Sequence, residues 1–240
     1  QRIMEQTRIW YKARHPNVAK VHGWMLQVDD SGSLQACLIS TWYPNGDITS
    51  YLLQHPEADR EDLICNICWG LKHLHANDTV HGDLKPTNVM MGNRGIAILC
   101  DFGLSSFLHG ASSSAFTGAL HGLRSVRYTA PQLLEDNSVN PCSKEADIWA
   151  FGCVSIEVGA IDSHLTPHLQ ILFFQILSGQ RPYNKIDDEN DLCNKILDGE
   201  PAYTPDVFQR VKVKDIIKDC LKVPALKRPH VKALINVLAP

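Results

Sequence analysis

The run His81-Gly82-Asp83-Leu84-Lys85-Pro86-Thr87-Asn88 places a carboxylate, an ammonium and an amide within six positions. Asp83 can act as a general base toward a hydroxyl, Lys85 can sit against phosphate oxygens, and Asn88 offers an oxygen to a hard cation. Thirteen residues after Asn88 comes Asp101-Phe102-Gly103, which supplies a second carboxylate for such a cation. A base, a phosphate-seeking cation and two oxygen donors for Mg²⁺ form the smallest set that can move a phosphoryl group. Taken singly, Asp83 reads as a turn aspartate and Lys85 as a solvated surface charge. Their order and spacing carry the chemical reading.

Those groups need elements to hold them. Apolar residues at 63, 64, 67, 68, 71 and 74 predict a core-facing helix over 59–75, directly before the loop. Short apolar runs at 88–91 and 96–100 around Gly92-Asn93-Arg94-Gly95 predict a hairpin linking Asn88 to Asp101. A second hairpin is predicted from 21–27 and 34–41 around Asp29-Asp30-Ser31-Gly32, and a helix from 1–14, closed by His15-Pro16-Asn17. The stretch 101–129 is rich in Ser, Gly and His without a period, and a loop of that length is usually functional. Serines 112–114 and Thr117 within it read as flexible loop. Beyond it, 145–158 is apolar on nearly every face and predicts a buried helix, with amphipathic helices at 211–221 and 230–238.

Composition narrows the class. The 240 residues are 44% hydrophobic and 20% charged, enough apolar material for a large core, which excludes a disordered or collagen-like chain. A net charge of −3 leaves no footprint of nucleic-acid binding, and no apolar run approaches the ~20 residues of a membrane span. The eight cysteines are scattered, mostly in apolar stretches, and read as reduced core thiols of an intracellular, cytoplasmic protein. Cys65 and Cys68 lack a second pair and are not read as a zinc site. Trp10, Trp69 and Trp149 read as core, and His81 as a core histidine bracing its loop.

Further along, Ala130-Pro131-Gln132, Asp147 at the head of the run DIWAFG, and Arg228 complete an ordered series. Together with the 81–88 run and Asp101-Phe102-Gly103 they resemble the protein-kinase signature set. The resemblance implies an α+β, two-lobe kinase-like fold. Residues 1–43 would be a partial small lobe, from the helix called αC to the hinge, and 44–240 a mainly helical large lobe. The catalytic loop would be 81–88 and the activation segment 101–132. ATP and Mg²⁺ are implied as cofactors and a protein as substrate. Asp83 would be the catalytic base, Lys85 would stabilise the transferring group, and Asn88 and Asp101 would hold metal. Thr41 and Tyr43 would form the hinge, with Ser40 as gatekeeper. Met90 would lie against adenine, and Asp47 would also bind nucleotide. Lys85-Pro86 resembles the serine/threonine type, and the wider pattern is most similar to fungal tyrosine-kinase-like enzymes.

This sequence also departs from that pattern. No glycine-rich loop or ATP-binding lysine is recognisable, so a fragment with negligible catalysis of its own is expected. Gln6 stands where the lysine's glutamate partner is expected, with Glu5 one residue away and turned by about 100°. Gly82 replaces the arginine that captures a phosphorylated loop, and Gln132 replaces the glutamate that pairs with Arg228. The segment 159–172 exceeds the usual spacing, and reads either as a surface insert or as a gene-model artefact. The resulting expectation is a serine/threonine kinase domain, the alternative being a pseudokinase or degraded paralogue acting as a binding module.

Overall fold

The structure, a computed structural model, describes residues 13–29, 32–102, 126–135, 143–160, 181–203 and 214–239. The expectations for the 1–12 part of the first helix, for Gly103 and the loop to 125, and for 161–172 of the longer segment lie outside the described residues.

Two antiparallel hairpins and a set of helices make a mixed α+β architecture. Strand β1 (Val21–Val28) pairs with β2 (Leu34–Ser40) in the register Trp24 to Leu38 and Leu26 to Ala36. Helix α1 (Ile48–Gln54) follows, and α2 (Arg60–Ala76) runs for 17 residues. Strands β3 (Val89–Met91) and β4 (Ala97–Leu99) form the second hairpin. After them come α3 (Gln132–Glu135), α4 (Lys144–Ala160), α5 (Glu189–Leu197), α6 (Lys214–Cys220) and α7 (Val231–Leu238).

The six apolar positions predicted to face inward from α2 are all buried. Asp59 starts that helix by accepting the Glu61 and Asp62 amides, two of the donors a helix N-terminus leaves unpaired. Leu63, Ile67 and Leu71 join one core with Phe151 and Val154 of α4, Leu234 of α7, and Val89 and Leu99 of the second hairpin. Residues 146–158 of α4 are buried without exception, so this helix is the axis of the core. Its three polar members, Asp147, Ser155 and Glu157, therefore need partners or a purpose.

Three expectations are corrected. Trp69 is only partly buried and lies beneath Lys72, whose ammonium is 4.1 Å from the ring centroid, whereas Trp149 is core. Of the seven described cysteines, only Cys68, Cys153 and Cys220 are buried, because Cys37, Cys65, Cys100 and Cys193 occupy half-covered faces; all seven are free thiols. The sequence reading omitted α1, α3 and α5, which are short; α1 and α5 are capped by the loop aspartates Asp47 and Asp188. Met25, Leu26 and Val28 of β1 are exposed.

Gly70 lets α2 press against the strand that leads to Asp101. A Cβ there would stand 2.5 Å from the Asn17 carbonyl oxygen and 3.0 Å from Leu99 Cδ1, both within the core. Gly70→Ala is expected to lower unfolding stability by about 1–3 kcal/mol through overpacking, read from the urea midpoint.

Candidate active site

The predicted loop is built on one buried carboxylate. Asp147, at the start of α4 and 2% exposed, accepts hydrogen bonds from the His81 amide at 2.8 Å and the Gly82 amide at 2.9 Å. His75 Nε2, at the end of α2, donates to the same carboxylate at 2.8 Å. One side chain thus fixes the chain on both sides of the turn leading into Asp83. Gly82 sits there at φ +79°, a conformation that disfavours residues with a Cβ. His81 is fully buried, its Nδ1 accepts the Asp83 amide at 3.4 Å, and burial holds its pKa below the usual histidine value. That is the bracing role expected of it.

Downstream of this anchor the reactive groups converge. Lys85 Nζ lies 2.8 Å from Asp83 Oδ2, with both side chains partly open to solvent. Asn88 is buried, and its amide nitrogen donates to the Asp83 carbonyl at 2.7 Å and to Asp83 Oδ2 at 3.1 Å. Its Oδ1 keeps no protein hydrogen bond among the described residues. The Cys100 amide donates to the Asn88 carbonyl at 2.9 Å, which sets the residue before Asp101 beside the loop. Asp101 itself is exposed at φ +55°, a left-handed turn that ends the β4 extension. Burial pushes the Cys100 thiol up to about 12, and its hydrogen bond goes to Asp101, so it is an inert neighbour rather than a nucleophile.

Two carboxylates and an amide oxygen are hard donors, suited to a divalent cation that keeps part of its water shell. Among the described residues no cluster of three or more His, Cys, Asp and Glu competes as a metal site. The donor types at Asp83, Asn88 and Asp101 therefore fit a hard divalent cation such as Mg²⁺.

Of the other expected nucleotide residues, Met90 lies in β3, and Thr41, Tyr43 and Asp47 lie in the segment between β2 and α1. The Thr41 amide donates to the Lys20 carbonyl, and its hydroxyl is 3.0 Å from His22 Nε2. Burial raises the pKa of the Tyr43 phenol, whose bonds to the Lys20 backbone and the Thr41 side chain oppose that shift. Trp42 between them is 83% exposed. Asp47 bridges to Met90, which brings those two positions together. Its carboxylate oxygens are engaged in capping α1, accepting the Thr49 and Ser50 amides and the Ser50 hydroxyl.

At the other end of the predicted activation segment, Gln132 Oε1 accepts from Arg228 Nη2 at 3.0 Å. Arg228 also donates to the Glu145 and Lys222 carbonyls and lies 4.9 Å from the Trp149 ring, and burial pulls its pKa down to about 10. The neutral contact expected from the glutamine is what the geometry has, and Gln132 Nε2 is left buried and unpaired.

A family model described as protein tyrosine and serine/threonine kinase matches residues 1–238. This chain belongs to the protein kinase family. Curated kinases similar to it include RUNKEL of Arabidopsis thaliana, 33% identical over 159 residues, which are 65% of this chain and 11% of that protein. The serine/threonine kinase fray1 of Dictyostelium discoideum is 22% identical over 247 residues, covering 98% of this chain and 37% of the relative. Serine/threonine-protein kinase 16 of Rattus norvegicus is 22% identical over 237 residues, covering 94% and 72%. The chain thus spans about a tenth and about a third of the first two. No helix among its described residues is long and apolar enough to cross a membrane.

Sequence reasoning missed His75 and Glu157 in this kinase. Each had a signal, His75 as a polar residue ending an apolar stripe, and Glu157 as an acid in a helix otherwise apolar all round.

Two substitutions test this scaffold. Asp147→Ala orphans the His81 and Gly82 amides and the His75 ring together, and is expected to lose about 3–5 kcal/mol by chemical denaturation. Gln132→Glu pairs an already buried guanidinium and removes an orphaned amide, so the midpoint is expected to rise by the equivalent of about 1–2 kcal/mol.

Proposed function

We propose that this chain is the catalytic domain of a serine/threonine-type protein kinase, transferring the γ-phosphoryl group of ATP to protein hydroxyls. The observation that carries this reading is the juxtaposition of Asp83, Lys85 and Asn88, with Lys85 Nζ and Asn88 Nδ2 both on Asp83 Oδ2. In this reading Asp83 accepts the proton of the incoming hydroxyl, its carboxylate oriented by Asn88. Lys85, 2.8 Å from that carboxylate, offers its ammonium to the transferring group. Asn88 and Asp101 would hold Mg²⁺, which neutralises charge on the phosphates when bound. Thr41, Tyr43, Asp47 and Met90 line the nucleotide side. Asp47 would contribute mainly by fixing the start of α1, since capping already occupies its oxygens.

The ammonium of Lys85, held 2.8 Å from Asp83, favours this reading over a simple turn aspartate, because it places positive charge beside the base where a phosphoryl group would be transferred. Gly82 offers no guanidinium to a phosphorylated loop, so activity would not depend on phosphate capture at that position.

Thermal shift on the full-length protein tests the reading. ATP with Mg²⁺ is expected to raise the melting midpoint, and Asp101→Asn to abolish that rise. Asp83→Asn is expected to keep the rise while lowering peptide phosphorylation by at least about 10²-fold. A folded protein that shows neither effect would instead be a pseudokinase serving as a binding module.

A further inference from the structure

Between α6 and α7 the chain runs Leu221-Lys222-Val223-Pro224-Ala225-Leu226-Lys227-Arg228, with one short helical turn over Ala225–Lys227. Leu226 is 93% exposed and Val223 51%, and Pro224 between them is exposed as well. Apolar residues scattered singly on a surface need no explanation, but three within four positions form a patch.

The patch is held outward by a buried anchor. Arg228 donates from Nε to the Lys222 carbonyl at 2.8 Å and from Nη1 to the Glu145 carbonyl at 2.9 Å. The Lys227 amide donates to the Pro224 carbonyl and the Arg228 amide to the Ala225 carbonyl, both at 3.0 Å. The backbone beneath the tip is thus closed at both ends, and presenting Leu226 to a partner needs no further ordering of the chain. A side chain this exposed projects rather than lining a groove, so its complement is a surface that yields around it.

The charges around the tip have one sign. Lys222 and Lys227 bracket it, and His230 and Lys232, at the start of α7, are exposed too. Positions 221–240 hold no aspartate or glutamate, although the whole chain carries a net charge of −3. Asp219, half-exposed, pairs with Lys222 at 2.6 Å and offsets one of the three lysines. Lys227 and Lys232 form no ion pair among the described residues.

We propose that this turn is a docking tip for an anionic bilayer surface, with Val223 and Leu226 entering the headgroup region and Lys222, Lys227 and Lys232 meeting lipid phosphates and carboxylates. An acidic protein segment would match the lysines but leave Leu226 uncovered, whereas a bilayer interface accommodates both. Each lysine near such a surface adds about fivefold to binding, and apolar insertion adds to it. The attachment is reversible and weakened by salt.

The test needs neither nucleotide nor phosphotransfer, so its outcome is separable from that of the catalytic reading. The full-length protein is sedimented with vesicles of phosphatidylcholine alone and with vesicles containing about 30 mol% phosphatidylserine. Binding is expected to the anionic vesicles only, and to fall at least about fivefold when salt is raised from about 0.1 to about 0.5 M. Leu226→Asp, and separately Lys227→Glu with Lys232→Glu, are each expected to weaken it about tenfold or more. Melting midpoints are expected to stay unchanged, because all three side chains are exposed. Binding that survives either set of substitutions belongs to another part of the protein and overturns the proposal, as does absent binding or equal binding to both vesicle types. Association with soluble polyglutamate and not with vesicles assigns the patch to an acidic protein and overturns it as well.

Discussion

The Asp147 carboxylate is the constraint on which the site depends. It sits at the head of the most buried helix and spends its acceptor capacity on two consecutive main-chain amides and one imidazole. Every residue but proline carries a backbone amide, so the loop is tied at points largely independent of its own side chains. Asp83, Lys85 and Asn88 all follow within seven residues of that tie. The distances among Asp83, Lys85 and Asn88 are therefore inherited from where α4 stands, and α4 stands where α2 and α6 pack it. Burying a charge of this kind is unfavourable in isolation. It is tolerated here because three donors replace the water it loses.

A second layer of control comes from the strands. The β3–β4 hairpin is only three residues a side, yet it joins the two ends of the chemistry, Asn88 before it and Asp101 after it. Its register of Val89 with Leu99 puts Cys100 opposite Asn88, the Cys100 amide completes the ladder on the Asn88 carbonyl, and Asp101 follows one residue beyond. The proposed cation donors are thus spaced by main-chain pairing rather than by side-chain packing. Their spacing in sequence is the length of a hairpin.

Much of this was legible beforehand, for identifiable reasons. The inward stripe of α2 obeys helical periodicity, and the connection Gly92-Asn93-Arg94-Gly95 announces a turn, so both were readable from the residues. The chemistry of the 81–88 run was readable because its types are unusual together. The links between distant segments were not. Nothing local to His75 states that its partner lies 72 positions away, nor that Arg127 would turn toward carbonyls 55 to 59 positions on. Those contacts come from how the helices assemble, which a pattern in one segment does not encode. The half-exposed cysteines were misread for a related reason, since an apolar neighbourhood in sequence is not the same as an interior position in space.

The way Arg127 is used has a consequence for sequence drift. Its guanidinium grips main-chain oxygens at Pro182, Tyr183 and Ile186, so the grip is indifferent to which side chains those positions carry. Substitutions along that turn can accumulate without releasing it, as long as the path of the backbone is kept. The arginine has no such latitude, because a lysine lacks the planar fork that reaches several carbonyls at once. Among related chains, position 127 should therefore hold its residue type while the turn it grips is free to vary.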